Sequence, residues 1–284
     1  MNNFHPGSVL LVAKRDHVEA LNLAGEISEW LSGRGVVNSV SENVDDLASR
    51  LPRSWPTPTL ILVLGGDGTM ISVIRKLASN HIAILGINFA RVGFLTECSK
   101  DSWQPMLDGI FEHGAMISSR MLLDVRLIRD SRTMLSTIVV NDIVVGRGRL
   151  ARLINLELFF EEERIAALRA DGLILSTPTG SSAYSYSAGG PLVYPEMDVI
   201  CTTPICSFLT EIKPFVFPAE RTIQVRIDEY TMEAFLTLDG QSGYPLIKGD
   251  QVHVTRSQCR MNLVTSSGYS YFQKLRAKGF LQES

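Results

Sequence analysis

The sequence predicts an α/β amino-terminal domain on a parallel sheet, then a mainly β domain of the sandwich kind, with a last helix packing back on the first domain. Three observations carry this. Over roughly the first hundred residues β-forming runs alternate with helical stretches, and Leu60-Ile61-Leu62-Val63-Leu64 is apolar throughout, as in a strand buried on both faces. Beyond about Ser118 one β-like stretch follows another.

Ser8 to Ala13 predicts the first strand. Asp16 is placed to cap a helix running to about Ser32, with Val18, Leu21, Leu23, Ile27, Trp30 and Leu31 as its apolar stripe and Gly33 as its stop. Val36 to Val40 predicts the second strand and Leu60 to Leu64 the third, which Gly65-Gly66 breaks before a helix from about Thr69 to Ser79. Ile82 to Ile87 is the next strand. Asn88 to Gly93 is a polar loop at its carboxyl end, where open α/β sheets hold their ligands. A helical segment near Asp101 to His113 completes this half, and the boundary falls near Gly114 to Ser118.

The β-like stretches beyond it are Leu122 to Ile128, Leu135 to Val145, Leu153 to Phe160, Ile174 to Ser176, Ile223 to Ile227, Ala234 to Leu238 and Val252 to Thr255. Tyr271 to Gly279 predicts the returning helix. The expected domains are therefore residues 1–115 and 116–268, with a carboxyl-terminal segment 269–284. Val44 to Trp55, which contains Pro52, reads as a loop, and the chain shows no internal repeat or low-complexity segment.

With 284 residues, 45% hydrophobic and 20% charged, the composition is that of a globular protein with room for two medium domains. A formal net charge of −3 argues against wholesale binding to nucleic acid or to an anionic membrane, so an anionic ligand has to meet local positive groups. The start, Met1-Asn2-Asn3-Phe4-His5-Pro6-Gly7, has no basic leader, and no run reaches membrane-spanning length. Cys98, Cys201, Cys206 and Cys259 form no CxxC pair and read as buried reduced thiols, which fits the cytoplasm.

Three segments carry chemistry. Gly65-Gly66-Asp67-Gly68-Thr69 lies between a buried strand and a helix start. Its glycines let a phosphate approach the backbone amides, and the helix end adds positive potential, which makes a phosphate cradle without the usual lysine. An acid in such a loop repels its ligand unless it binds a metal or takes a proton from an attacking hydroxyl, so Asp67 is the candidate general base. The plainer reading is that the glycines end a strand and Asp67 caps a helix.

The second segment is Arg169-Ala170-Asp171-Gly172, an apolar strand, and then Ser176-Thr177-Pro178-Thr179-Gly180-Ser181-Ser182-Ala183-Tyr184-Ser185-Tyr186-Ser187-Ala188-Gly189-Gly190-Pro191. Few structural needs explain so many hydroxyls, whereas ribose and phosphate would use them, and Tyr184 offers a face to a base. A solvated serine-rich loop is the alternative. In the third, Asn141-Asp142 interrupts the β run Val139 to Val145: Asn141 can pair with an adenine edge and Asp142 with vicinal ribose hydroxyls, or the two can simply make a turn.

In this order and spacing the three segments resemble the NAD kinase family, over most of the chain from about Leu60 to Phe272. The stretches Gly86-Ile87-Asn88 and Val92-Gly93-Phe94-Leu95-Thr96 belong to the likeness. Lipid kinases and phosphofructokinases share a short Gly-Gly-Asp-Gly signature, so it is the Asp171 to Pro191 segment that narrows the family.

The resemblance implies a Rossmann-like first domain and transfer of the terminal phosphoryl group of ATP to the adenosine-ribose 2′-hydroxyl of NAD. Asp67 would be the proton acceptor, with Gly68 beside it at the nucleotide and Phe94 lining the same pocket; Gly65, Gly66 and Thr69 complete the phosphate loop. Asn141 and Asp142 would hold the adenosine part of NAD. Asp171 and the run Ser182 to Ser187, especially Ala183, Tyr184 and Ser187, match further dinucleotide contacts, Arg152 and Arg169 align with basic or polar contact positions, and Gln241 aligns with a late one.

Magnesium would arrive with ATP, since no carboxylate cluster resembles a metal cage and no metal ligand can be named. A homodimer or homotetramer also follows from the likeness. Two departures stand out. The family pair is usually Asn-Glu, whereas Asp142 is shorter by one methylene, roughly 1.5 Å. In Pro204-Ile205-Cys206-Ser207-Phe208-Leu209, Ser207-Phe208 replaces a frequent Pro-His. The rival readings are a diacylglycerol- or sphingosine-type lipid kinase and a dinucleotide sensor without turnover.

Overall fold

The computed structural model describes residues 4–47, 57–77, 82–90, 92–148, 152–208, 212–228, 230–231, 233–265 and 271–281. Most of the Val44 to Trp55 loop, Ala78 and Ser79 of the second expected helix, Arg91 and Leu209 lie outside these residues. The chain divides into two compact units, residues 1–119 with 261–284, and residues 120–260.

The first unit is a parallel sheet. β1 (Ser8–Ala13) pairs with β2 (Val37–Glu42) on one side and with β3 (Leu60–Leu64) on the other, and β3 pairs with β4 (Ala83–Asn88), all in parallel. β4 also takes the two-residue β5 (Cys98–Ser99) and, through Ala83 and Ile84, residues Asn262 and Leu263 of the chain's last strand. Every side chain of β1, β3 and β4 is buried, as the apolar runs require of strands covered on both faces. Helices α1 (Val18–Ser32), α2 (Asp67–Leu77) and α3 (Trp103–His113) follow β1, β3 and β5, α4 (Tyr184–Ser187) is a single turn in the second unit, and α5 (Tyr271–Ala277) comes last.

The start of α1 corrects two expectations. The cap is His17, whose side chain accepts the Ala20 N–H, because Asp16 sits at φ 54°, outside the geometry of a cap. The buried stripe is Ala20, Ala24, Ile27 and Leu31; Val18 and Leu21 are exposed. Small alanines let the helix lie close to the sheet.

The second unit is antiparallel throughout. One sheet holds β6 (Met116–Arg129), β7 (Arg132–Val139), β9 (Ile154–Phe160), β10 (Glu163–Ala170), β14 (Ile223–Ile227) and β17 (Gln251–Thr265), the long strand that runs on into the first unit. The other is six-stranded in the order β13 (Phe215–Pro218), β12 (Val199–Ile205), β11 (Gly172–Ser176), β8 (Asp142–Arg147), β15 (Ala234–Leu238), β16 (Ser242–Leu246). Leu123, Val125, Leu156, Leu158, Val225 and Val252 of the first sheet and Ile143, Val145, Leu173, Leu175, Leu236 and Leu238 of the second meet in one core.

The expected Leu135 to Val145 stretch is two strands, β7 and β8, because the chain changes sheet at Val140-Asn141. β10, β12, β13 and β16 were absent from the sequence expectation: Glu163 to Ala170 alternates poorly, and Ser242 to Leu246 carries Gly243 and Pro245. Of the cysteines, Cys98 and Cys201 are buried, with thiols pushed up to about 12 and about 11 by burial, but Cys206 is exposed and Cys259 half-buried, against the expectation of four buried thiols.

Candidate active site

Each unit carries one cleft of interest. In the first, β3 ends at Leu64, Gly65 donates its N–H to the Ile87 carbonyl, and α2 begins at Asp67. The cleft beside this turn, about 410 Å³, is lined by Gly66, Gly68 and Thr69 together with Lys14, Arg15 and Asn43. Lys14 and Arg15, which sequence reasoning missed, leave the carboxyl end of β1 and are exposed. They supply the local positive charge that an acidic chain has to place somewhere. Asn43 is held from α2 by Lys76 Nζ at 2.8 Å and the Ser72 hydroxyl at 3.4 Å. The signal available was the basic pair directly after an apolar strand.

Asp67 is half-buried, and its carboxylate is fixed by the loop after β4. Oδ2 accepts the Phe94 N–H at 2.8 Å and Oδ1 the Leu95 N–H at 3.2 Å. Gly93 is obligatory there, since a Cβ on it would stand 1.9 Å from Asp67 Oδ1. The loop is wired internally: Gly93 donates to Thr96 Oγ1 at 2.6 Å, Asn88 Nδ2 reaches the same oxygen at 3.4 Å, and Asn88 Oδ1 accepts the Ala90 N–H at 3.0 Å. Phe94 thus meets Asp67 through its backbone, while its ring packs edge-on against Phe280, centroids 5.6 Å apart, and is not among the cleft's lining groups.

In the second unit a cleft of about 420 Å³ is lined by Asn141, Asp142, Val144, Ala183, Tyr184, Thr237, Asp239 and Gly240. The Asn-Asp pair is both the turn and the cleft wall. Asp239 makes it rigid: its carboxylate accepts the N–H of Val140 (3.0 Å), Asn141 (2.6 Å) and Asp142 (3.3 Å), and its own N–H donates to the Asp142 carbonyl at 2.9 Å. Asp239 and Gly240, at φ 50° and 63°, form the tight turn between β15 and β16. Sequence reasoning passed over Asp239 in favour of its neighbour Gln241, although Asp-Gly between two alternating runs is a strong turn signal. The Asp142 carboxyl is buried and pushed up to about 7, first by burial and then by the charge of Asp239.

The hydroxyl-rich segment lines this cleft at Ala183 and Tyr184 and packs against the Asn141 backbone at Gly180, where a Cβ would stand 2.1 Å from the Asn141 carbonyl oxygen. Several of its hydroxyls are structural, contrary to the expectation. Thr177 Oγ1 donates to the Val140 carbonyl and accepts the Gly180 N–H, Ser181 Oγ donates to the Pro178 carbonyl and accepts the Val193 N–H, and Ser185 pairs with Thr203. Ser182 is half-buried, its hydroxyl turned to the Thr179 carbonyl at 3.3 Å, while Ser187 is exposed. Tyr184 lines the cleft and stays 47% exposed, free to take a flat ligand.

The remaining expected contacts lie outside the cleft lining. Asp171 stands at the other end of β11 from Ser176, the residue that faces Asp142, and pairs with Arg147 at 2.9 Å. Arg169 lies exposed over the Phe208 ring, 5.7 Å from its centroid, and Arg152 and Gln241 are exposed. Among the described residues no three His, Cys, Asp or Glu side chains converge as a metal site.

An α/β unit with a glycine-rich turn beside two cations, followed by an antiparallel unit with its own polar cleft, fits the class of phosphotransferases. Within that class the family models single out one member: the ATP-NAD kinase N-terminal domain matches residues 57–115 and the ATP-NAD kinase C-terminal domain residues 140–266. The NAD kinase of Nitratidesulfovibrio vulgaris (Miyazaki F) is 44% identical, with 97% of each chain covered, and that of Geobacter sulfurreducens 38%, covering 95% of this chain and 97% of the other. The chain belongs to the NAD kinase family.

Two solved structures share the fold. Yeast NADH kinase complexed with NADH has a TM-score of 0.84 at 24% identity, covering 100% of this chain and 90% of the other. An NAD kinase from Archaeoglobus fulgidus in complex with ATP has a TM-score of 0.75 at 24% identity, covering 95% and 99%.

Proposed function

We propose that this chain transfers the terminal phosphoryl group of ATP to the adenosine-ribose 2′-hydroxyl of NAD, giving NADP, with Asp67 as the proton acceptor. The observation that carries the assignment of the base is the Asp67 carboxylate, held in place by two backbone N–H groups at the start of α2 beside the glycine-lined cleft. As the 2′-oxygen attacks the terminal phosphorus and the bond to the leaving ADP oxygen breaks, Asp67 takes the hydroxyl proton. Gly66, Gly68 and Thr69 cradle the donor phosphates while Gly65, its N–H bonded to the Ile87 carbonyl, shapes the turn behind them; Lys14 and Arg15 balance the phosphate charge, and magnesium comes as part of the Mg-ATP substrate.

Asn141 and Asp142 take the adenosine of NAD, and Ala183 and Tyr184 line its seat. We assign the enzyme to the cytoplasm as a homodimer or homotetramer. The exposed Phe215 and Val216 on β13, an edge strand, support assembly, which sedimentation would measure.

A coupled assay for NADP with NAD and Mg-ATP tests the reading. Asp67→Asn should lower kcat by about 10²- to 10⁴-fold while NAD binding by calorimetry stays within a few-fold of the parent. Near-normal turnover in that variant would move the base elsewhere; no NADP from the parent, with label from ATP instead appearing in a lipid extract, would favour a lipid kinase.

A further inference from the structure

The carboxyl-terminal helix α5 buries a charge where an aliphatic side chain would serve packing equally well. The Lys274 side chain is 5% exposed and forms an ion pair with Glu97, 2% exposed. A buried ammonium is retained only where its three N–H groups find acceptors. Lys274 Nζ finds the Glu97 carboxylate, the Thr96 carbonyl at 3.2 Å and the Phe94 carbonyl at 3.4 Å. The Phe94 carbonyl belongs to the same peptide as the Leu95 N–H that holds Asp67, and the Thr96 carbonyl lies two peptides further along the same strip. Phe94 is held on both sides, its N–H by Asp67 and its carbonyl by Lys274.

We propose that Lys274, with its charge neutralised by Glu97, is a positioning residue for Asp67, fixing the Phe94–Thr96 strip so that its amides aim the carboxylate. The inference rests on Asp67 being the proton acceptor. The same helix end adds a second hold on the strip, because Phe280 packs on the Phe94 ring and Lys278 Nζ lies 5.1 Å from that ring's centroid. A peptide that tilts swings its N–H off the carboxylate, and a reacting group displaced by about 1 Å costs on the order of 10²-fold in rate. Substrate affinity should be largely unchanged, since neither Lys274 nor Glu97 lines the cleft.

The test replaces the pair together, Lys274→Met with Glu97→Leu, so that no lone charge is left buried. In the full chain the expected result is kcat lowered about 10- to 100-fold, KM for NAD and for ATP within about twofold, and an unfolding midpoint near the parent's. A folded variant with parental kcat overturns the proposal, as does a loss shared equally by kcat, KM and stability. Hydrogen exchange on the unaltered protein gives a second reading that does not depend on the folding of the variant. The Phe94 and Leu95 amides should be protected to the same degree as those of α5, and exchange 100-fold faster would overturn the coupling. Asp67→Asn, run in parallel, separates the two ideas: if it retains turnover, the base assignment has failed, whereas if it is inactive while the double variant is normal, only the positioning role has failed.

Discussion

Beside the amino-terminal cleft the backbone holds a carboxylate, with Asp67 accepting two N–H groups from a loop; in the cleft of the second unit a carboxylate holds the backbone, with Asp239 accepting three in succession. The same bond serves opposite ends. In the first case the amides keep one side chain, the base proposed above, in place and half-buried. In the second the acid is spent on geometry, and the chemistry passes to what the stiffened turn presents, Asn141 and the buried Asp142. A group that must exchange a proton is left accessible, whereas a recognition surface can be built from buried parts.

If that contrast is right, removing Asp239 should damage recognition and leave the chemical step alone. Asp239→Ala strands the N–H of Val140, Asn141 and Asp142, and each buried donor left without an acceptor costs about 1–3 kcal/mol. The expected outcome is KM for NAD raised 10-fold or more with kcat within about threefold, and a lower unfolding midpoint. Asp239→Asn keeps an acceptor oxygen and should recover much of the affinity. A kcat collapse with unchanged KM would erase the distinction between the clefts.

The next expectation sharpens the contrast through pH. Asp142 is pushed up to about 7 by burial and by Asp239, from an ordinary value of 3.8, so the fold favours its protonated form. The folded state then binds more protons than the unfolded chain between about pH 4 and 7, and stability from this group declines as pH rises through that window, by up to about 4 kcal/mol. Binding runs the other way. If the carboxylate accepts ribose hydroxyls, NAD affinity should rise by up to about 10-fold as pH passes 7. Asp142→Asn should flatten both slopes, read by denaturant unfolding and by calorimetry from pH 5 to 8.5.

What the sequence made legible follows from how local each signal is. β1 and β3 carry their burial in five or six consecutive apolar residues, and their limits agree with the structure to the residue. The Gly65 to Thr69 turn is equally local. β10, β13 and β16 owe their place to pairing partners rather than to their own pattern, so nothing in the residues announced them. The site divides in the same way. Asn141, Asp142, Ala183 and Tyr184, which line one cleft, belong to contiguous motifs, whereas Asp239 and Lys274 act on residues 97 to 180 positions away. The hydroxyls of Thr177, Ser181 and Ser185 mislead for the converse reason, since a chain folded tightly on itself needs internal donors and acceptors in the same residue types a ligand would use.

The smallest expected effect concerns the two cations of the first cleft. Lys14 and Arg15 line it but are exposed, and a charge in contact with water contributes little by any single pairing. Lys14→Ala or Arg15→Ala alone should raise KM for ATP only about two- to fivefold, an effect that shrinks as salt is added, with KM for NAD unchanged. The pair removed together should exceed the product of the singles if one phosphate chain meets both, because either cation alone still draws it in. If instead the double variant raised KM for NAD and spared ATP, the cleft beside the glycine turn would be the dinucleotide's seat, and the assignment of one ligand to each unit would have to be reversed.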